Sequence, residues 1–189
     1  IVIPGVKGLL LWKRLDKIIL DNDINLIWLT PSIAKLLVAS EVAKLLKKLP
    51  LICICGTDWL SYELKNEFKK QSGKDLVNTY GTSETLFISA QTIETANMDG
   101  VGEILSDVDL KLQPLSVKDN VSLRFTEENS EYLKVVVRSK FVHDGLSSLN
   151  FYETGDVGSY ATDNQLNITG REKNIIIISG IYIVKRYNK

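Results

Sequence analysis

Histidine and cysteine are scarce in this chain, whose 189 residues include one histidine, His143, and two cysteines, Cys53 and Cys55. A zinc site built on this C-x-C pair would need two further ligands, so the alternate spacing is more typical of side chains packed on one face of a strand. The sequence also lacks a disulfide framework and a signal-peptide pattern. We therefore expect a cytoplasmic protein in which both cysteines belong to the core.

An excess of charge of one sign is also missing, because the 23 basic and 23 acidic side chains cancel. This balance gives no electrostatic reason to expect a nucleic acid or an anionic membrane as a partner. Long apolar runs are absent too, since stretches such as residues 175–178 are far shorter than the roughly 20 residues that a membrane span requires. Any anionic ligand must therefore be held by local geometry.

The first hundred residues alternate between helical and strand patterns. With 44% hydrophobic residues, a chain of this length can bury a substantial core. Predicted helices cover residues 9–22, residues 33–49 with a possible break near Ser40, and a segment capped by Ser61; predicted buried strands cover residues 26–29, 51–55 and 76–80. We interpret Trp28, taken alone, as a core aromatic. Strands that alternate with helices favour parallel α/β layers.

The pattern changes after Gly102 to short strand candidates separated by polar turns. Residues 108–112 alternate cleanly between apolar and polar side chains, and residues 133–137 form a more continuous apolar run. Residues 162–165 separate two later strands as a hairpin turn would. This part of the chain predicts antiparallel β structure.

Three short motifs carry the chemistry of the sequence: Y-G-T-S-E at residues 80–84, Y-E-T-G-D at residues 152–156 and G-R-E-K at residues 170–173. Each combines a glycine with a hydroxyl, a carboxylate or a guanidinium, the groups needed to hold the phosphate, metal and ribose of a nucleotide. Taken alone, the first would be a strand followed by a capped helix start, the second a β-turn, and Lys173 a solvated charge. Their joint order favours a nucleotide site.

These motifs and their spacing resemble the AMP-forming adenylating enzymes, which include acyl-CoA synthetases, luciferases and nonribosomal adenylation domains. The resemblance implies an α/β fold, namely part of the large N-terminal domain of such an enzyme, with a layered α/β subdomain followed by a distorted antiparallel β-barrel. We expect the α/β portion at residues 1–100, the β-barrel portion at 101–172, and a hinge with the start of a C-terminal region at 173–189. Because the chain opens without methionine and stops after an apolar run, we expect a fragment.

The resemblance also assigns roles around the adenine ring. Gly56 and Thr57 match the glycine-rich loop that lies against adenine, although the family usually has a second glycine or alanine where Thr57 stands. Tyr80 would supply an aromatic face near adenine. Gly81 would let the main chain approach the nucleotide.

Further matches concern the phosphate, the ribose and the acceptor. Ser83 stands where a hydroxyl meets the α-phosphate, and Glu84 where a carboxylate binds Mg²⁺. Asp156 matches the aspartate that accepts from the ribose hydroxyls, and Arg171 the arginine near that ribose. The remaining matches are Lys173 at the hinge, and Ser179 and Gly180 in a loop that shapes a thiol-acceptor channel.

The implied function of the intact enzyme is ATP-dependent activation of a carboxylic acid as an acyl-adenylate, followed by transfer to CoA or to the pantetheine of a carrier protein. The fragment itself is expected to be inactive, because the phosphate-cradling loop and the small domain with its catalytic lysine are not among these residues. Residues 24–32 are similar to amino-acid adenylation domains, whereas residues 175–180 are more similar to acyl- or aryl-CoA synthetases. We favour an acyl substrate, with an amino-acid adenylation domain and a non-catalytic nucleotide-binding or interaction scaffold as alternatives.

Overall fold

The computed structural model describes residues 14–115, 133–142, 151–160, 165–178 and 181–184, with backbone alone for residues 176–178 and 181–184. The predicted acceptor-loop residues Ser179 and Gly180 lie outside these ranges. The chain forms two compact units: unit 1 contains residues 1–80 and 91–98, and unit 2 contains residues 81–90 and 99–189.

Unit 1 contains three parallel strands that alternate with helices. Leu26 of the first strand pairs with Ile52 of the second, and Cys53 of the second pairs with Leu76 of the third. The elements in chain order are α1 (Leu15–Asp21), β1 (Leu26–Leu29), α2 (Pro31–Ala39), a 3-10 helix (Val42–Lys48), β2 (Ile52–Cys55), α3 (Tyr62–Ser72) and β3 (Leu76–Thr82). The predicted parallel α/β order is confirmed.

The helices of unit 1 begin and end where the sequence places polar caps and breaks. The Thr30 and Ser61 hydroxyls accept from the backbone N–H groups three residues later, each at 3.2 Å, which satisfies a donor that the helix leaves unpaired. The long predicted helix ends at Ser40, and Glu41 then adopts a positive φ of 61° before the 3-10 turns begin. None of the helices in the described ranges is both long and apolar enough to cross a membrane.

The core of unit 1 lies between one sheet face and the helices. Cys53 and Cys55 are buried on this face, as predicted, and burial raises the pKa of each thiol to about 12. Fully buried side chains from the helices, including Leu37, Leu46 and Phe68, pack against them. The two cysteines are therefore packing residues.

The opposite face of the same strands is only partly covered within the described residues. The side chains of Leu26, Trp28 and Ile52 are 45%, 43% and 42% exposed. The prediction of Trp28 as a core aromatic was therefore wrong, and so was the expectation that β1 is a uniformly buried strand. Alternation along the strand sends Leu29 to the packed face and Trp28 to the other.

A buried lysine ties the segment 91–98 to the rest of unit 1. Lys65 lies on α3 and is 7% exposed. Its ammonium group donates to Gln91 Oε1 and to the Ala96 carbonyl at 2.9 Å each, and to the Met98 carbonyl at 3.3 Å. Gln91 Oε1 also accepts from the Asn78 backbone N–H in β3. Polar contacts of this kind compensate the loss of hydration when a lysine is buried.

Unit 2 is built from antiparallel strands, as the sequence predicted. The strands β4 (Leu86–Ala90) and β5 (Glu103–Ile104) pair with each other. The strands β6 (Val108–Pro114), β7 (Leu133–Ser139), β8 (Tyr152–Tyr160) and β9 (Leu166–Arg171) form a four-stranded sheet in that order. Beyond a 3-10 turn (Glu172–Asn174) follow the paired strands β10 (Ile175–Ile178) and β11 (Ile181–Val184).

Candidate functional site

The Y-G-T-S-E motif spans the end of β3 and the tight turn at residues 83–85, instead of the helix start that its residues would suggest in isolation. Thr82 accepts through its carbonyl from the Thr85 N–H at 3.3 Å, and the Thr82 N–H donates to Thr85 Oγ1 at 3.2 Å. Thr85 is fully buried. These bonds fix the turn from within and leave Ser83 and Glu84 exposed at its tip.

Gly81 is required by the turn itself. A Cβ added at this position would collide with the carbonyl group of Leu86. The turn therefore depends on a residue without a side chain, because the backbone of β4 passes directly over it. This close approach is a second reason for a glycine here, in addition to the predicted approach to a nucleotide.

Glu84 is a fully exposed carboxylate with a pKa held below its usual range. The main cause is a hydrogen bond from the Thr82 side chain, helped by a backbone N–H and by the positive charge of Arg171. Stabilisation of the charged form keeps the group ionised and able to bind a cation. Because the charge of Arg171 affects Glu84, a residue of the third motif lies within electrostatic range of a residue of the first motif in unit 2.

The T-G-D segment is a β-bulge. Lys134 lies opposite Val157 and Val136 opposite Glu153, so Val135 alone faces the three residues 154–156. The Thr154 hydroxyl donates to the Val135 carbonyl at 3.0 Å and accepts from the Asp156 N–H at 3.1 Å. Gly155 takes a φ of +73°, which glycine adopts without steric cost. The bulge redirects the strand at Asp156.

Arg171 holds Asp156 from the neighbouring strand. The two residues are directly paired between β8 and β9, and Arg171 Nε lies 2.9 Å from Asp156 Oδ1. A second nitrogen, Nη1, donates to the Thr154 carbonyl at 3.1 Å. The Asp156 side chain is 6% exposed and that of Arg171 is 42% exposed. The guanidinium thus fixes the bulge and its carboxylate together.

Tyr152 is a further member of this cluster, although it was not among the predicted site residues. The pKa of its hydroxyl is raised above the usual range, mainly by burial and next by the negative charge of Glu84. The charge of Asp156 also raises this pKa, whereas the positive charge of Arg171 lowers it. Tyr152 therefore lies within the electrostatic reach of the three charged residues predicted for nucleotide binding. Its place in β8, four residues before Asp156, was the available sequence signal.

The predicted adenine residues lie in unit 1. Gly56 follows β2 and donates through its N–H to the Leu29 carbonyl at 3.2 Å, and an added Cβ would lie 2.6 Å from Thr79 Oγ1. Thr57 takes a φ of +79°, a region that glycine adopts more easily than threonine. Tyr80 is a partly buried residue of β3.

The predicted magnesium and hinge residues occupy exposed positions. Glu84 is the carboxylate assigned to Mg²⁺, and the described residues contain no group of three or more histidine, cysteine or acidic side chains that could hold a metal. A single ionised carboxylate fits a cation that takes its other ligands from phosphate and water. Lys173 lies exposed in the 3-10 turn after β9.

Comparison with known proteins decides the family. A model of the AMP-binding enzymes, described as "AMP-binding enzyme", matches residues 2–119. The chain belongs to the AMP-binding enzyme family. The predicted family is thereby confirmed.

Curated relatives of this AMP-binding enzyme chain include acyl-CoA synthetases. The mitochondrial acyl-coenzyme A synthetase ACSM4 of Rattus norvegicus is 28% identical over 167 residues, which cover 81% of this chain and 28% of that protein. The putative long chain fatty acid-CoA ligase VraA of Staphylococcus haemolyticus is 27% identical over 128 residues, which cover 67% of this chain and 26% of the relative. The chain therefore spans less than a third of these relatives, which are named a synthetase and a putative ligase.

Solved structures show the same fold. ATP-bound MatB from Rhodopseudomonas palustris superposes with a TM-score of 0.74 at 16% identity, over 97% of this chain and 37% of MatB. O-succinylbenzoate coenzyme A synthetase from Bacillus subtilis, in complex with AMP, gives a TM-score of 0.68 at 16% identity, over 92% and 36% of the two chains. The AMP-binding enzyme chain thus has the predicted mixed α/β fold of a large-domain portion.

Proposed function

We propose that this chain supplies nucleotide-binding elements of an AMP-forming acid:thiol ligase. In the complete reaction, a carboxylate oxygen attacks the α-phosphorus of ATP, pyrophosphate leaves, and the acyl group then passes from the adenylate to a thiol with release of AMP. The observation that best supports this proposal is the Asp156–Arg171 pair at the bulge, with Glu84 and Tyr152 in its electrostatic reach. Family membership supports the same reaction class.

Asp156 is proposed to bind the ribose. An ionised carboxylate offers only acceptors, so it suits two ribose hydroxyl donors. Arg171 occupies one oxygen of this carboxylate at 2.9 Å and holds the bulge in place. Gly56, Thr57 and Tyr80 are proposed for the adenine ring, where the backbone and an aromatic face would contact it.

Ser83 and Glu84 are proposed for the phosphate end. Both are exposed at the tip of a turn in which Thr82 and Thr85 bond to each other, and the Glu84 carboxylate accepts from the Thr82 side chain. Ser83 would donate its hydroxyl to an α-phosphate oxygen, and Glu84 would hold Mg²⁺. A bound Mg²⁺ supplies positive charge against the phosphate oxygens while charge develops on the leaving pyrophosphate. The ionised state of Glu84 is consistent with this role.

The second step of the reaction, transfer of the acyl group from the adenylate to the thiol, is proposed to depend on the segment after β9. Lys173 is the proposed pivot, and Ser179 and Gly180 are proposed to border the thiol channel. The acceptor is CoA or a carrier-protein pantetheine, and the names of the curated relatives support CoA. Backbone rotation at a few residues is a common way to exchange two active-site arrangements.

A carboxylic acid of the acyl class is the proposed substrate. The relatives named above are an acyl-coenzyme A synthetase and a fatty acid-CoA ligase, which favours this class over the amino acids suggested by residues 24–32. A non-catalytic scaffold is disfavoured because it would have no use for Glu84 and Asp156 in one cluster. The cytoplasmic location stays a prediction, and the rat relative is mitochondrial by name.

Calorimetric titration of AMP into this chain, with magnesium, tests the nucleotide site. We expect saturable binding that Asp156→Ala abolishes. Asp109→Ala is a matched control, because Asp109 forms a comparable cross-strand pair with Arg138 at 2.7 Å in the same sheet, with both side chains exposed. Equal loss of binding in both variants, or none in either, would contradict the assignment of Asp156.

ATP–pyrophosphate exchange tests the reaction class. We propose that these 189 residues alone do not turn over, because they span under a third of the relatives. A longer protein that contains them should show exchange with fatty or aromatic acids and little with amino acids. Robust acid-dependent exchange by the 189-residue chain would contradict the proposed inactivity, and amino-acid dependence would favour the adenylation-domain alternative.

A further inference from the structure

A mostly buried lysine in unit 2 is shared between two carboxylates at the edge of the proposed site. Lys134 Nζ lies 3.0 Å from Glu172 Oε1 and 3.5 Å from Glu153 Oε2. The Lys134 side chain is 13% exposed, against 35% for Glu172 and 61% for Glu153. The hydrogen bond with Glu172 is the main cause that raises the pKa of Lys134 above its usual value. The ammonium group is therefore a charged and largely buried anchor for Glu172.

This anchor acts at a defined point of the chain. Asp156 holds Arg171, and Lys134 holds the next residue, Glu172. The Glu172 carbonyl accepts from the Ile175 N–H and so closes the 3-10 turn. For Lys173, by contrast, no side-chain hydrogen bond or ion pair is found among the described residues, and the side chain is exposed. Among the described side chains, these ties therefore include residue 172 and none is found at residue 173.

The strand pairing explains why Lys134 can reach this point. Lys134 lies opposite Val157, next to the bulge that carries Asp156, and Asp156 lies opposite Arg171 in the following strand. Arg171, the last residue of β9, pairs with Asp156, and Glu172, the first residue of the 3-10 turn, pairs with Lys134. The two ion pairs therefore hold two consecutive residues, one at the end of β9 and one at the start of the turn.

We propose that Lys134 is a positioning residue that fixes the stationary side of the hinge and, through Glu172, the backbone that presents Arg171 to the nucleotide. The proposal rests on the proposed function, because it uses Arg171 as a nucleotide-site residue and Lys173 as the pivot. Lys134 does not touch the nucleotide in this scheme. It confines rotation to the bonds after Glu172, so that the ribose site stays intact while the following segment moves.

Two measurements on the 189-residue chain test this role. Lys134→Met keeps the aliphatic stem and removes the charge, and Lys134→Arg restores a cation of similar reach. Lys140→Met is the matched control, because Lys140 forms an exposed pair with Asp107 at 2.6 Å in the same unit. The measurements are hydrogen exchange of the Ile175 amide, which reports closure of the 3-10 turn, and calorimetric AMP affinity.

We expect Lys134→Met to speed exchange at Ile175 about tenfold and to weaken AMP binding about three- to tenfold, as expected for loss of a charged hydrogen bond that acts indirectly. Lys134→Arg should recover most of both effects, and Lys140→Met should cause neither. Exchange that rises equally throughout β7, β8 and β9 would show that Lys134 only stabilises the sheet, and would overturn the proposal. Unchanged exchange at Ile175 would also overturn it.

The design separates this inference from the proposed function. If the unmodified chain binds no AMP, the nucleotide assignment fails in this chain, while exchange at Ile175 still decides whether Lys134 fixes the turn. If the unmodified chain binds AMP and Lys134→Met binds it equally well, the proposed function stands and the link from Lys134 to Arg171 is refuted.

Discussion

Asp156 and Arg171 are paired twice, once by the backbone register of β8 and β9 and once by their side chains, with Nε 2.9 Å from Oδ1. Arg171 also holds the Thr154 carbonyl through Nη1. One side chain therefore fixes the carboxylate and the bulge that carries it. A substitution of Arg171 should therefore disturb both the Asp156 carboxylate and the bulge.

Replacement of Arg171 by lysine should weaken nucleotide binding although the charge is kept. A lysine ammonium is a point donor and cannot reproduce the fork that reaches both Asp156 and the Thr154 carbonyl. We expect AMP affinity to fall about tenfold, the size expected for one charged hydrogen bond. Calorimetry would measure it, with Arg138→Lys as the control. Affinity equal to that of the unmodified chain would show that Arg171 is not needed for the geometry of Asp156.

Replacement of Glu84 by glutamine should remove the magnesium dependence of nucleotide binding. The pKa of Glu84 is lowered, so its carboxylate stays ionised as the pH falls toward its ordinary value of 4.5 and loses its charge only below it. Stimulation of AMP binding by Mg²⁺ should therefore persist at pH 5 in the unmodified chain and vanish in Glu84→Gln.

The control for this experiment is Glu94→Gln. Glu94 is likewise fully exposed, and a hydrogen bond from Thr92 lowers its pKa in the same way. The two glutamates thus share their local electrostatics and differ in position. Magnesium stimulation that responds equally to both substitutions would contradict the assignment of Glu84 as the metal ligand.

Two glycine-to-alanine substitutions should differ sharply in their effect on stability. Gly81→Ala should lower the free energy of unfolding by more than about 3 kcal/mol, as for severe overpacking, because the added carbon meets the Leu86 carbonyl. Gly155→Ala should cost about 1 kcal/mol, since its positive φ is unfavourable for alanine while the added carbon meets nothing nearer than Arg171 Nη1 at 3.9 Å. Urea denaturation would measure both, and equal losses would contradict the described turn.

Alkaline pH should destabilise the chain through its two thiols. Burial raises the pKa of Cys53 and Cys55 from 9.0 to about 12. Above pH 9 the unfolded state releases these protons while the folded state keeps them, so stability should fall as the pH rises from 9 toward 12. A Cys53→Ala/Cys55→Ala double variant should show a flatter profile in this range. An unchanged slope in thermal or urea unfolding would refute the thiol contribution.

Much of the fold could be predicted from local sequence patterns. Side-chain periodicity predicted the strand that buries Cys53 and Cys55. Polar side chains close in the chain predicted the helix cap at Ser61 and the helix break at Ser40. Trp28 was mistaken for a core residue because periodicity identifies a strand without telling which of its faces is packed.

The geometry of the candidate site was less accessible to sequence analysis. The motif residues could be identified, but the bulge at residues 154–156 depends on the register of β7 against β8. The same register places Lys134 beside Glu172, 38 positions further along the chain. Tyr152 enters the cluster in the same way. The sequence around Tyr152 offered its nearness to Asp156 as a signal, whereas the pairing of Lys134 with Glu172 has no local sequence signal.

The division into units has a consequence for any dissection of this protein. The chain crosses from one unit to the other after Tyr80, after Ala90 and after Met98. A truncation after residue 80 would keep Lys65 yet discard every carbonyl and amide oxygen that its ammonium group contacts in the segment 91–98. No single cut yields both units whole, so unit 1 alone would have to be made by an internal deletion of residues 81–90 together with removal of residues 99–189.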